Sequence, residues 1–229
     1  MTATETAARR APLTKAEIAA RVADDIPDGS YVNLGIGLPT LVADHLATGR
    51  GITLHTENGM LGMGPSPEPG AADPDLVNAG KIPVTELPGA SYFHQADSFA
   101  MMRGGHIDVC VLGAFQVSTS GDLANWSTGQ PDAVPAVGGA MDLAIGARRT
   151  VVMMTLLTKD GTPKLVEHCT LPLTGRSCVD LIVTDMAVIE VTTEGLVLRE
   201  VAPDTTVDAV KKATGTELTV DPSVKTMGA

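Results

Sequence analysis

A chain of 229 residues with 44% apolar side chains has material for the core of one large α/β domain or two small ones, which excludes a disordered or fibrous protein. Lysines and arginines number 16 against 27 aspartates and glutamates, a net charge of −11, and no stretch gathers the basic residues into a stripe or tail. Nucleic acid and anionic membrane are therefore poor partners, and with apolar runs as short as VVMM at Val151 to Met154 and no hydrophobic segment near the N-terminus, a cytoplasmic enzyme or binding protein is expected.

Thr14 and Glu17 form a T-x-x-E capping box ahead of Ile18, Ala19 and Val22, which predicts a helix from about Lys15 to Asp25, stopped by Pro27, Asp28 and Gly29. Tyr31 to Leu34 reads as a strand, GIG as a tight turn, and Pro39 as the first residue of a helix that carries Leu41, Val42 and Leu46 inward. Further strands are expected at Ile52 to Thr56, Ile107 to Leu112, Thr150 to Leu156, Leu181 to Thr184, Val188 to Val191 and Leu196 to Val201. Between them, helices are expected at Asp97 to Met102, Asp142 to Ala147 and Val207 to Ala213, the last closed by Gly215. This alternation predicts an α/β fold, a mostly parallel sheet flanked by helices on both faces. With no repeat, low-complexity tract or long linker, residues 1–229 form a single domain, the first twelve or so flexible. Cys110, Cys169 and Cys178 form no CxxC pair and read as reduced thiols, and the histidines show no metal-ligand spacing, so no metal is expected.

Open α/β sheets bind ligands at the carboxyl ends of their strands, and Glu57 falls where the second strand should end. Asn58-Gly59 favours a turn with positive φ, and Gly62 and Gly64 would let backbone approach a ligand or another chain, so Glu57 is read as exposed on a glycine-rich loop. A turn-capping glutamate without chemistry fits the pattern as well. A third reading takes Gly35-x-Gly37 with an acid about twenty residues on as part of a dinucleotide fingerprint. Thr40 in place of the third glycine, and Pro39 in place of an amide, count against it.

VNLGIGLPTLVADHL, HTENGMLGMGPSP, DLVNAGK, LPGASYF, DSFAMMRGGHIDV, LGAFQVSTSGDLANW, VGGAMDLA and CTLPLTG, in this order, resemble the B subunit of the 3-oxoacid CoA-transferases of family I, over roughly Ala16 to Val220. The resemblance implies the CoA-transferase fold and assigns the glutamate of the ENG motif, Glu57, as a nucleophile that carries CoA as a glutamyl thioester. It implies an oxyanion site at the glycine pair Gly138 and Gly139, with the amide of Gly139 nearest the glutamyl carbonyl. Gly35 and Gly37 would border the acyl or pantetheine site, Asn58 and Gly59 would shape the nucleophile's loop, and Asn125 beside Trp126 would lie near substrate. Arg103 could meet a carboxylate, of which an internal ion pair is the blander case. No organic cofactor is implied, CoA esters being substrates, but an A subunit is, in an A2B2-like heterotetramer.

The segment ANWSTGQPDAVPAVGGAMDLAIGAR, together with GMGPSP and the histidine of YFHQADSF, looks like the 3-oxoadipate type of this family, with acetoacetate as the alternative acceptor of CoA from succinyl-CoA. A second substrate carboxylate calls for a cation, and the segment around the glycine pair supplies none before Arg148. A ligand-binding or dinucleotide-binding domain without catalysis remains the more remote alternative.

Overall fold

In the computed structural model, which describes residues 12–130, 132 and 134–228, the first element is set by its cap. The Thr14 hydroxyl accepts from the Glu17 amide at 3.3 Å and the Glu17 carboxylate accepts from the Thr14 amide at 2.8 Å, starting α1 at Lys15–Asp25. The flexible stretch expected at the N-terminus lies, but for Pro12, outside the described residues.

β1 (Tyr31–Leu34) leads through Gly37, at φ 91°, into a 3-10 helix at Leu38–His45 instead of an α-helix. The Thr40 amide and hydroxyl both bond the Gly37 carbonyl, closing the tighter i→i+3 turn at the start. Val42 is buried as expected, while Leu41 and Leu46 are half-buried. β2 (Thr53–Thr56) is followed by β3 (Met60–Met63) and β4 (Glu86–Tyr92), an antiparallel pair where an open glycine-rich loop was expected. The glycines here admit backbone of the same chain, not of a ligand. A Cβ on Gly62 (φ 85°) would lie 3.0 Å from the Ala90 Cα, and one on Gly64 would lie 2.4 Å from the Thr85 hydroxyl.

The remaining elements are α2 (Gln95–Arg103), β5 (Val109–Leu112), β6 (Gln116–Ser118), β7 (Leu123–Ala124), α3 (Ala140–Gly146), β8 (Arg149–Met154), β9 (Leu165–Val166), β10 (Leu181–Thr184), β11 (Ala187–Thr192), β12 (Gly195–Val201), α4 (Val207–Ala213) and β13 (Thr219–Thr226). Thr214, in extended backbone, ends α4, while Gly215 donates its amide to Leu165. One ten-stranded sheet runs β13-β12-β11-β10-β8-β5-β1-β2-β3-β4, and β7-β6-β9 form a small second sheet. The five central strands, β10 to β2, are parallel, with antiparallel strands joined at each side.

β5, β8 and β10 are largely apolar on both sides because each face meets its own core, while β1 and β2 carry the buried polar residues Asn33, His55 and Thr56. Val109, Val111, Val151, Met153, Leu181 and Val183 point toward α1 and the 3-10 helix. Their neighbours Cys110, Leu112, Val152, Met154 and Ile182 point toward α2, α3, α4 and the small sheet. From β1 the chain moves to β2 on one side and then to β5 on the other, so the order in which strands are added reverses between β1 and β5. A crevice opens at the carboxyl ends of strands at such a point.

Candidate active site

Glu57 opens a three-residue turn, Glu57 to Gly59, that joins β2 to β3 across the pair Thr56 and Met60. Gly59 closes it at φ 115°, its amide donating to the Thr56 carbonyl at 3.1 Å. A Cβ at this position would lie 2.2 Å from the Phe93 carbonyl oxygen, so only glycine fits. The Asn58 side chain donates to the Val77 carbonyl at 2.9 Å and ties down the outer side of the turn.

Behind the turn a buried chain of hydrogen bonds joins β1, β2 and α2. The Asn33 amide donates to His55 Nδ1 at 2.9 Å, which leaves the proton on Nε2 to be donated to the Ser98 hydroxyl at 2.9 Å. Ser98 in turn donates to the Thr56 carbonyl at 3.2 Å, the peptide that carries Glu57. Burial lowers the pKa of His55 to about 4, so the neutral ring is the working form.

The glycine pair meets Glu57 from the opposite side. Gly138 adopts φ 56° and Gly139 caps α3 with ordinary backbone, and a Cβ on Gly139 would fall 2.2 Å from Glu57 Oε2 and 3.2 Å from Phe99 Cζ. The carboxylate therefore rests against bare backbone. Asp142, in the first turn of α3, binds Arg103 Nε at 2.7 Å, and the Arg103 guanidinium lies 5.4 Å from the Phe99 ring centre. Arg103 thus takes the internal ion pair. Burial first, and the charge of Asp142 second, raise the Glu57 carboxyl above its ordinary range.

From Glu57 a groove of about 560 Å³ runs across the carboxyl ends of β1, β5 and β8. Gly35, Gly138, Gly139, Asn125 and Trp126 all border it, so the structure gathers most of the expected site residues around one opening. A narrower cleft on the other side of Glu57 is bordered by Gly35, His55 and Asn78. Gly37 borders neither; its positive φ serves the turn into the 3-10 helix. Asn125 has its amide on the Gly113 carbonyl at 3.1 Å and its oxygen accepting from Thr174 at 2.6 Å, and Trp126 donates to Leu173, so both carry structural bonds at the groove wall.

Lys164 and Thr155, which no sequence motif marked, also border the groove. Arg148 does not: it pairs with Asp108 at 2.8 Å at the opposite, amino ends of the strands. His94 caps α2 by accepting the Ala96 amide at 3.1 Å. Burial pushes the Cys110 thiol up to about 12, and those of Cys169 and Cys178 up to about 11, so none is primed as a nucleophile. Among the described residues no cluster of His, Cys, Asp and Glu is spaced to hold a metal ion, and no helix is long and apolar enough to cross a membrane.

A family model described as coenzyme A transferase matches residues 15–213. The B subunit of the 3-oxoadipate CoA-transferase of Pseudomonas putida is 60% identical over 206 residues, 90% of this chain and 96% of that protein. A human mitochondrial succinyl-CoA:3-ketoacid coenzyme A transferase 2 is 48% identical over 93% of this chain, which spans 41% of the human protein's length. An acyl-CoA transferase from Escherichia coli, in its apoenzyme crystal structure, has the same fold with a TM-score of 0.72 and 20% identity; the match covers 95% of this chain and 44% of that one.

Proposed function

The chain belongs to the coenzyme A transferase family, and from that premise we propose that it is the glutamate-bearing subunit of an enzyme that moves CoA from succinyl-CoA to 3-oxoadipate. The observation that carries this reading is the contact of Gly139 with the Glu57 carboxylate at the head of a groove. A carboxylate is a weak nucleophile that must be ionised to act, and covalent catalysis with it depends on orientation and on stabilising the oxyanion that forms. The turn at Asn58-Gly59 and the Asn33, His55 and Ser98 chain supply orientation. The Gly139 amide is the oxyanion donor on this chain.

In the first half-reaction a Glu57 oxygen attacks the succinyl thioester carbonyl, the C–S bond breaks, and a mixed anhydride and CoA thiolate result. The thiolate attacks the glutamyl carbonyl, releasing succinate and leaving a glutamyl-CoA thioester. The 3-oxoadipate carboxylate then attacks that thioester, CoA thiolate departs, and its return to the 3-oxoadipyl carbonyl of the new anhydride yields 3-oxoadipyl-CoA and free Glu57. No metal or organic cofactor takes part. A partner A subunit supplies a second oxyanion donor and most of the CoA site, in an A2B2-like assembly.

Intact mass after incubation of the chain and its partner subunit with succinyl-CoA tests this. A CoA adduct on this chain, reducible by borohydride and absent from Glu57→Gln, is expected. Discharge by 3-oxoadipate and not by acetoacetate would fix the acceptor; the 48% identity to a 3-ketoacid transferase makes acetoacetate the second reading. CoA exchange by an active pair that leaves no adduct on Glu57 would overturn the covalent course.

A further inference from the structure

The reaction above leaves two charged side chains of the groove unused, the exposed Lys15 and the half-buried Lys164. Lys164 is fixed through its backbone, the amide donating to Leu156 at 3.1 Å and the carbonyl accepting from Val117 at 3.0 Å, where β9 begins beside β6. Its ammonium donates to the Thr155 hydroxyl at 3.2 Å, just past the end of β8. That hydroxyl gives its own proton to the Leu157 carbonyl at 2.7 Å, so toward Lys164 it acts as acceptor. An ammonium has three protons to donate. Only one is engaged here, and among the described residues the half-buried ammonium forms no ion pair.

The other charged groups bordering the groove are Glu57 itself and Lys15, an exposed residue at the first position of α1. Burial pulls the pKa of Lys164 down, opposed by the charge of Asp185 past the end of β10. A partly desolvated cation at the wall of a groove is stabilised by an anion that enters that groove.

The spacing suits a second carboxylate on the substrate. β2 and β8 are separated by β1 and β5, three strand spacings or about 14 Å. A glutamate side chain reaching inward leaves a gap on the order of 10 Å, about the length of a four- to six-carbon dicarboxylic acid with its end contacts.

We propose that Lys164 binds the remote carboxylate of the acyl group, so that the groove takes dicarboxylic acids with one carboxyl reacting at Glu57 and the other held at Lys164 and Thr155. This deepens the transferase reading and rests on it for the identity of the reacting end. Lys164 acts here as a specificity residue that touches substrate far from the bond that changes.

The test uses the assembled complex of this chain and its partner subunit, as wild type, Lys164→Met and Lys164→Arg, with succinate and butyrate as acids of equal carbon number. Binding of each acid to the complex without CoA is measured by calorimetry, and each is then tried as the CoA acceptor. Loss of one charge-assisted hydrogen-bonded contact is expected to weaken succinate by about 10- to 100-fold in Lys164→Met, leave butyrate within about twofold, and be partly restored in Lys164→Arg. Thermal unfolding of the variants shows whether the groove wall is intact. Equal loss for both acids, or an unchanged succinate affinity, would overturn the assignment. A wild-type complex that binds succinate through Lys164 but exchanges no CoA would keep the carboxylate site and remove the transferase reading. The reverse result, a Glu57 adduct with no effect at Lys164, would do the opposite.

Discussion

The two ends of the parallel strands treat charge in opposite ways. At the amino ends, before β1, β2, β5, β8 and β10, charged side chains are matched: Arg148 with Asp108, Arg149 and Arg21 with Asp25, Arg50 with Asp28, while Asp108 also takes the Tyr31 amide and Asp180 the Thr150 amide. At the carboxyl ends Glu57 and Lys164 border one groove, and among the described residues neither has an oppositely charged partner in contact. Charges that hold a fold together are satisfied by the fold. Charges left for a ligand are held in place by neutral neighbours, glycine backbone and a histidine chain at Glu57 and a threonine hydroxyl at Lys164, and stay available.

The comparison is sharpest where a single methyl group would enter the carboxyl-end site. Gly139→Ala puts a carbon on Glu57 Oε2 without forcing an unusual backbone, so kcat/KM should fall by about 100-fold while the unfolding temperature changes little. Activity within threefold of wild type would reduce the glycine pair to a turn.

The neutral chain behind Glu57 gives the next effect. The folded pKa of His55 is about 4 against 6.5 for an ordinary histidine, so the unfolded chain takes up the proton first as pH falls. The contribution is complete above pH 6.5 and is lost between 6.5 and 4, to a total of about 3 kcal/mol. Urea unfolding of wild type and His55→Gln across that range should show the slope in the first and a flatter line in the second. Parallel curves would mean that His55 does not stay neutral in the folded state.

The smallest effect belongs to the amino ends. Arg148 is exposed and Asp108 keeps the Tyr31 amide without it, so Arg148→Gln should cost under about 1 kcal/mol in stability and leave transfer within twofold. A large loss of activity there would mean that both ends of the sheet serve the reaction.

Much of this arrangement is written locally. The capping box predicts α1 over the residues it occupies, because cap, first turn and apolar face lie close together in the sequence, from Thr14 to Val22. The middle of the parallel core is legible because β5, β8 and β10 are largely apolar on both faces. β3 and β4 are not, since Gly62 and Gly64 look like loop residues until Ala90 and Thr85 arrive from more than twenty positions away. The strands of the small sheet, two or three residues each, have no period to read. Glu57 could be singled out from its place at a strand end. Lys164 could not, because a lysine in TPKLV has no signature until β9 is laid beside β6 and its side chain meets Thr155.

The crossover order of the sheet also sets a schedule. During synthesis Glu57 emerges about 80 residues before Gly139 and about 110 before Lys164, and those partners reach it only when α3, β8 and β9 have docked on strands already formed. A nascent or truncated chain ending before α3 carries Glu57, the proposed nucleophile, without the Gly139 and Lys164 that border its groove. The groove wall at Glu57 is therefore complete only after α3, β8 and β9 have docked, while β10 to β13 still follow in the chain.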